Sequence, residues 1–150
     1  MANNMTTALE PDTFYHIFNR GNDGINIFYK EENYRYFLIK YDQLSYAKSI
    51  NQQESRTGSL FQKYFRRQAV TDGSYFTRLV WYIHNNAVHH GIYGNLETYP
   101  WSTYRRMLAD TPSKLMKEGV LTWFGGRDNY VAFHRENAAD TSAIEPLLLE

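Results

Sequence analysis

Not one of the 150 residues is a cysteine, which excludes a disulfide framework and thiolate-held metals and is neutral about redox compartment. No apolar run approaches the roughly 18 residues of a membrane span. The opening MANNMTTALEPDT carries neither the basic nor the apolar segment of an export leader. These absences predict a soluble, cytoplasmic chain that keeps out of membranes. Internal repeats and low-complexity tracts are missing as well. Net charge is also lacking, since 16 Lys/Arg offset 16 Asp/Glu, and taken whole that argues weakly against a nucleic-acid binder. What is present is ordinary globular composition, 43% hydrophobic and 21% charged. A chain of this length suits one domain, 1–150, able to bury a core.

Mapping the charge along the chain changes the picture. Residues 1–55 hold five Lys/Arg against seven Asp/Glu, residues 56–106 seven against two, and residues 107–150 four against seven. The middle third is therefore basic and its flanks acidic. Arg56, Lys63, Arg66, Arg67, Arg78, Arg105 and Arg106 are the candidate footprint for a phosphate backbone. The competing reading is a solvated face with ordinary scatter of charge.

Local patterning divides the chain. Thr13 to Asn19 alternates and is rich in aromatics, which predicts a strand, with Arg20 to Gly24 as the loop after it. Lys30 to about Gln53 is helical in composition and opens with Glu31 and Glu32, where a helix N-terminus favours negative charge. Ser59 to Val70 reads as a second strand. Asp72 offers an N-cap for a helix that should stop at Gly91. Beyond a core spanning about 13–107, an extension at about 112–137 predicts helices over Pro112 to Phe124 and Arg127 to about Asn137, broken at Gly125-Gly126. Residues 138–150 form a loosely held tail.

Two features of these helices stand out. Tyr34, Phe37, Leu38 and Tyr41 make one apolar stripe, while Leu44, Ala47 and Ile50 lie on a stripe rotated by about a third of a turn. One straight helix does not bury both against one core, so the pattern predicts either a bend or a wide apolar surface, or else two helices joined near Gln43 to Ser45. In the later helix, Tyr82 stands one turn before Asn86, so phenol and amide share a face. Phe76, Leu79, Val80 and Ile83 form the stripe expected to be buried, and Tyr82 lies off it on a row with Arg78, Asn86 and His90. With 13 tyrosines in the chain, packing is the common fate of that residue type.

The words YHIFNRGN, RTGSLFQKYF, YIHNN, HHG and YPWSTY, in that order, resemble those of the REP-associated tyrosine transposases, single-tyrosine enzymes that cut and rejoin single-stranded DNA. The tail phrase GVLTWFGGRDNYVAFH resembles an extension carried by one subgroup. The resemblance implies a ferredoxin-like α+β domain with helices on one face of a four-stranded antiparallel sheet. It implies Tyr82 as nucleophile and Asn86 as one ligand of a divalent metal, Mg²⁺ or Mn²⁺. It also implies DNA contacts from Arg20, Arg56, Lys63, Arg66, Arg67 and Arg78. Ala87 stands where the family usually has proline.

One part of that machinery has no counterpart here. The family carries two strands between its first helix and the segment resembling SYAKSINQQESRTGSLFQKYF, one of them ending in a His-hydrophobic-His motif that supplies two further metal ligands. Here nothing lies between, and the join falls where the apolar stripe changes phase. Attack of a tyrosine oxygen on a phosphodiester gives a phosphotyrosine-linked end and a free hydroxyl. A phenol ordinarily ionises near pH 10, and a metal on the scissile phosphate supplies several kcal/mol of transition-state stabilisation.

The remaining histidines do not replace the pair. His84 lies about 160° around the helix from Tyr82 at 100° per residue, His89 and His90 sit at the helix end, His16 is in the first strand and His134 in the tail. The expectation is thus a helix-rich α+β remnant with two strands where the family has four, and with exposed strand edges that invite pairing with a second copy. Three functions compete: a tyrosine transposase acting on single-stranded DNA and impaired in cleavage, a relative that binds DNA hairpins without catalysis, and a decayed protein with only a structural or interaction role.

Overall fold

The computed structural model describes residues 9–40, 43–62, 66–70 and 72–137. The expected loose tail from 138 onward lies outside them. The architecture is α+β and helix-rich, with one two-stranded antiparallel sheet. The chain gathers into two compact units, Met1–Ala69 and Val70–Glu150. No helix among the described residues is long and apolar enough to cross a membrane.

In the first unit, β1 (Tyr15–Phe18) pairs with β2 (Arg66–Ala69), Tyr15 facing Ala69 and Phe18 facing Arg66. The ribbon resumes at a bridge between Gly21 and Phe61, where Asn22 N–H donates to the Leu60 carbonyl at 2.9 Å and Gln62 N–H to the Arg20 carbonyl at 3.0 Å. The second strand is therefore shorter than the expected Ser59–Val70, and Lys63 to Phe65 lie outside the described residues. Neither strand pairs with a third among the described residues, and Phe14 and Ile17 stand 59% exposed beside or on β1.

The segment read as one long helix is two, α1 (Glu31–Lys40) and α2 (Gln43–Gln53). They run antiparallel, because Asn33 near the start of α1 donates to Gln53 at the end of α2 at 3.1 Å, and Tyr36 and Phe37 meet Tyr46 at ring separations of 6.2 and 5.1 Å. Reversing the chain direction lets both apolar stripes face one core, which accounts for the change of phase without a bend. The side chains of Leu38, Tyr41 and Leu44 lie outside the described residues.

Tyr46, Ile50 and Leu60 are fully enclosed in this unit, with Ile25, Ile27, Phe28 and Phe61 against them. The Tyr46 hydroxyl donates to the Ile27 carbonyl at 2.6 Å, and burial, reinforced by the Tyr34 and Tyr29 phenols, pushes its pKa well above the ordinary value. Asn33 has a fastening role. Its buried Oδ1 accepts from the Tyr29 and Lys30 amides at 2.9 and 2.8 Å, satisfying backbone donors just before α1 that would otherwise be lost.

The second unit is helical: α3 (Gly73–His89), α4 (Tyr104–Leu108), α5 (Lys117–Trp123) and α6 (Arg127–Glu136). Tyr104, Met107, Phe124 and Tyr130 form its buried cluster, and Val80 of α3 packs on it. The helix expected over Pro112 to Phe124 begins later, at Lys117. Ser113 Oγ accepts from the Leu115 amide at 3.1 Å, and Lys117 Nζ donates to the Ala109 and Thr111 carbonyls at 2.5 and 2.7 Å. These bonds hold residues 109–116 in a side-chain-bonded turn that competes with helix. α6 spans nearly the range its pattern predicts.

Candidate nucleic-acid interface

α3 carries the tyrosine and is bounded by strong signals at both ends. Asp72 Oδ1 accepts from the Tyr75 amide at 2.8 Å and from Ser74 Oγ at 2.7 Å, as an N-cap should. At the other end Gly91 takes φ +67°, its amide donating to the Val88 carbonyl at 3.0 Å and that of Ile92 to the Ala87 carbonyl at 2.8 Å. This is a Schellman closure, and a residue with a Cβ is strained there. Gly73 lets α5 approach, because a Cβ at that position would come within 2.9 Å of the Trp123 ring.

The buried face differs from the one the apolar pattern predicts. Leu79, Trp81, His84, Asn85 and Ala87 are buried, whereas Ile83 is 52% exposed. Counting His84 and Asn85 as polar, and so as solvent-facing, displaced the expected stripe. In the fold His84 is central: its Nδ1 lies 3.0 Å from His134 Nε2 and its Nε2 2.8 Å from Thr103 Oγ1, while His134 Nδ1 lies 2.8 Å from the Tyr130 carbonyl.

A single proton arrangement satisfies all three contacts. The carbonyl only accepts, so His134 Nδ1–H donates to it and His134 Nε2 accepts from His84 Nδ1–H, leaving His84 Nε2 to accept from the Thr103 hydroxyl. Both rings are then neutral. Burial, with His134 beside it, lowers the His84 pKa to about 3. Burial lowers that of His134 to about 4, against the opposing pull of the Tyr130 carbonyl.

Away from this face lie the residues singled out for DNA chemistry. Tyr82 is partly buried and packs against Trp81. Asn86, one turn on, is partly buried, and Arg78, one turn back, is exposed with Nη2 donating to Ser74 Oγ at 3.3 Å. Helical geometry thus puts Arg78, Tyr82 and Asn86 in one row. His90 extends it beyond the helix, exposed, its pKa lowered by burial and by His89, whose ring centre is 5.0 Å away. The Tyr75 hydroxyl and Trp81 Nε1 are enclosed without a hydrogen-bond partner among the described residues. Burial raises the Tyr75 pKa and Arg78 opposes that rise.

The other cations distribute as follows. Arg20 follows β1 and is exposed, its amide donating to Asn19 Oδ1 at 2.9 Å. Arg56, partly buried after α2, reaches Asn51 Oδ1 at 3.5 Å. Arg66 and Arg67 occupy the first two positions of β2, opposite Phe18 and Ile17, and Lys63 lies outside the described residues. Arg105 and Arg106 are exposed on α4.

As for a metal, Asn86 finds no imidazole of α3 on its row within the helix, since His84 faces the core with both ring nitrogens engaged. No group of three His, Asp or Glu side chains among the described residues converges to hold an ion. Within α3, Asn86 therefore has no imidazole beside it for the three-ligand centre that the resemblance implies. Sequence patterning missed Asn85, which is 4% exposed and one turn beyond Trp81. Position 85 lies across the helix from the stripe of Phe76, Leu79, Val80 and Ile83 at 100° per residue, so the pattern carried no signal for it. Compared with family models, curated proteins and solved structures, the chain has no match.

Proposed function

We propose that this chain is a transposase-like protein that binds single-stranded or hairpin DNA, with strand cleavage impaired by the lack of an imidazole pair beside the tyrosine. The observation that carries the reading is the row Arg78, Tyr82 and Asn86, which sets a cation, a phenol and an amide one turn apart, exposed or half-buried, on a helix capped at both ends. The guanidinium attracts phosphate, the phenol ring stacks on a base, and the amide hydrogen-bonds its edge. Arg20, Arg56, Lys63, Arg66 and Arg67 add phosphate contacts from the first unit. Cleavage would need the Tyr82 oxygen to attack phosphorus and displace a deoxyribose oxygen as a free hydroxyl, without the charge neutralisation a divalent cation provides.

Fluorescence anisotropy with a labelled DNA hairpin at several salt concentrations tests binding. The expected result is affinity falling linearly with log salt and a slope reduced by about 1 in Arg78→Ala. Affinity independent of salt would remove the DNA reading and leave only a structural or interaction role. A nicking assay with Mg²⁺ or Mn²⁺, set against Tyr82→Phe, tests cleavage. No covalent product is expected from the chain alone. A tyrosine-dependent covalent adduct would show an intact enzyme instead. The strand edges at β1 and β2 are the proposed contact for a second copy.

A further inference from the structure

The second unit contains an open pocket of about 360 Å³ lined by Asn85, Val88, Leu96 and Tyr104 among others. Asn85 is 4% exposed, yet it lines this pocket, and no hydrogen bond ties its amide to the other lining residues. An amide bordering a space large enough for a small ligand can hydrogen-bond one. The other polar groups nearby are committed. His134 has both ring nitrogens bonded, and Asn95 Oδ1 accepts from the Glu97 amide at 2.7 Å.

A second cavity, about 320 Å³, shares Glu97, Tyr104 and Arg135 with the first and adds Arg105. Arg135 Nε pairs with Glu97 at 3.0 Å, and the terminal nitrogens of Arg135 and the whole Arg105 guanidinium have no protein acceptor among the described residues. Two guanidinium groups, Arg105 and Arg135, thus line the second pocket, while Asn85 in the first is neutral. A charged group is disfavoured beside Asn85, which offers no countercharge. A flat ring with adjacent donor and acceptor atoms suits the amide, and an anion attached to that ring suits the arginines.

We infer that these joined cavities bind a nucleotide, its base edge on the Asn85 amide between Val88, Leu96 and Tyr104, and its phosphate at Arg105 and Arg135. Adenine is the first choice, because an asparagine amide pairs in two-point fashion with its N6 and N7. The same chemistry comes from a free mononucleotide or from an unpaired base of a DNA strand, and only the strand form rests on the DNA-binding reading above.

Isothermal titration of the full chain with deoxyadenosine monophosphate and with deoxyadenosine tests the inference. Both should bind, the nucleotide more tightly. Asn85→Leu should weaken both by about tenfold or more while the chain stays folded, as checked by its thermal melt. Arg105→Ala should weaken the nucleotide and leave the nucleoside unchanged. Leu96→Trp, which fills the cavity without touching the amide, should abolish both. Failure of both ligands to bind, or binding indifferent to Asn85→Leu and Leu96→Trp, overturns the inference even if hairpin DNA binds. Nucleotide binding without hairpin binding sustains it and assigns the free mononucleotide. A hairpin with an unpaired deoxyadenosine that binds more tightly than its abasic counterpart, the gain being lost in Asn85→Leu, assigns the strand.

Discussion

Lowering the pH should destabilise the second unit well before its carboxylates titrate. An unfolded histidine takes up a proton near pH 6.5, whereas His84 and His134 resist protonation until about pH 3 and about pH 4 in the fold. Between those limits the unfolded chain binds more protons, so stability is complete above about pH 7 and falls as pH drops through 6.5. Each imidazole contributes at most ~1.4 kcal/mol per pH unit over that range, and the pair therefore costs the fold roughly 4 kcal/mol between pH 7 and pH 5. For a small domain with a total stability of about 5–15 kcal/mol, that is a large share. All three tryptophans, Trp81, Trp101 and Trp123, lie in this unit, so urea titrations followed by tryptophan fluorescence at pH 7.5, 6, 5 and 4.5 report on it directly. His84→Gln should lower stability at pH 7.5 and flatten the pH dependence by about half. Imidazole nitrogen shifts should show fixed neutral tautomers, Nδ1-protonated in both rings, down to pH 5. A change below ~1 kcal/mol between pH 7 and 5, or rings titrating near their ordinary value, would refute the buried pair.

Other perturbations have equally definite outcomes. Asn33→Ala leaves the Tyr29 and Lys30 amides and the Gln53 side chain without their partner and should destabilise the first unit by about 2–3 kcal/mol, read by hydrogen exchange of α1 and α2 amides. Asp72→Ala removes the N-cap of α3 and should cost about 1 kcal/mol in tryptophan-monitored denaturation. Gly91→Val forces a branched side chain into φ +67° and should cost more than that, by the same assay. Melting at two protein concentrations tests association through the strand edges: the midpoint should rise with concentration, and an unchanged one would remove the second copy.

Short-range signals in the sequence placed most of the elements. Asp72 and Gly91 bounded α3 because a cap and a left-handed stop depend on one or two residues each, and β1 followed from simple alternation. The antiparallel pairing of α1 and α2 was harder to see, since composition alone cannot distinguish one long helix from two that fold back. Its trace was the phase change between Tyr34-Phe37 and Ala47-Ile50, for which the joined pair was one of two readings. The α3 face was misplaced because hydrophobic counting treats histidine and asparagine as solvent-facing. Burial of His84 depends on Thr103 and His134, 19 and 50 residues away, and no local window contains that information. The Asn85 pocket needs residues from α3, α4, α6 and the loop between the first two, so no local window of the sequence could show it.

The period of α3 divides its work between structure and proposed function, and the division can be checked residue by residue. Trp81, His84 and Asn85 are buried, while Arg78 is exposed and Tyr82 and Asn86 are half-buried on a row turned about 120–160° from His84 at 100° per residue. Substitutions on the inner set should move stability and its pH dependence. Substitutions on the outer row should move DNA affinity instead, with Arg78→Ala and Asn86→Ala changing the denaturation midpoint little because Arg78 is exposed and Asn86 only partly buried. Tyr82 is the informative exception, since its ring packs on Trp81. Tyr82→Phe keeps that packing and removes only the hydroxyl, so it should keep stability within about 1 kcal/mol of the parent and retain stacking on a base. Tyr82→Ala should lose both packing and DNA affinity. Equal hairpin affinity in parent and Tyr82→Ala would mean that the row is not a DNA-binding surface, whatever the middle third contributes by charge alone.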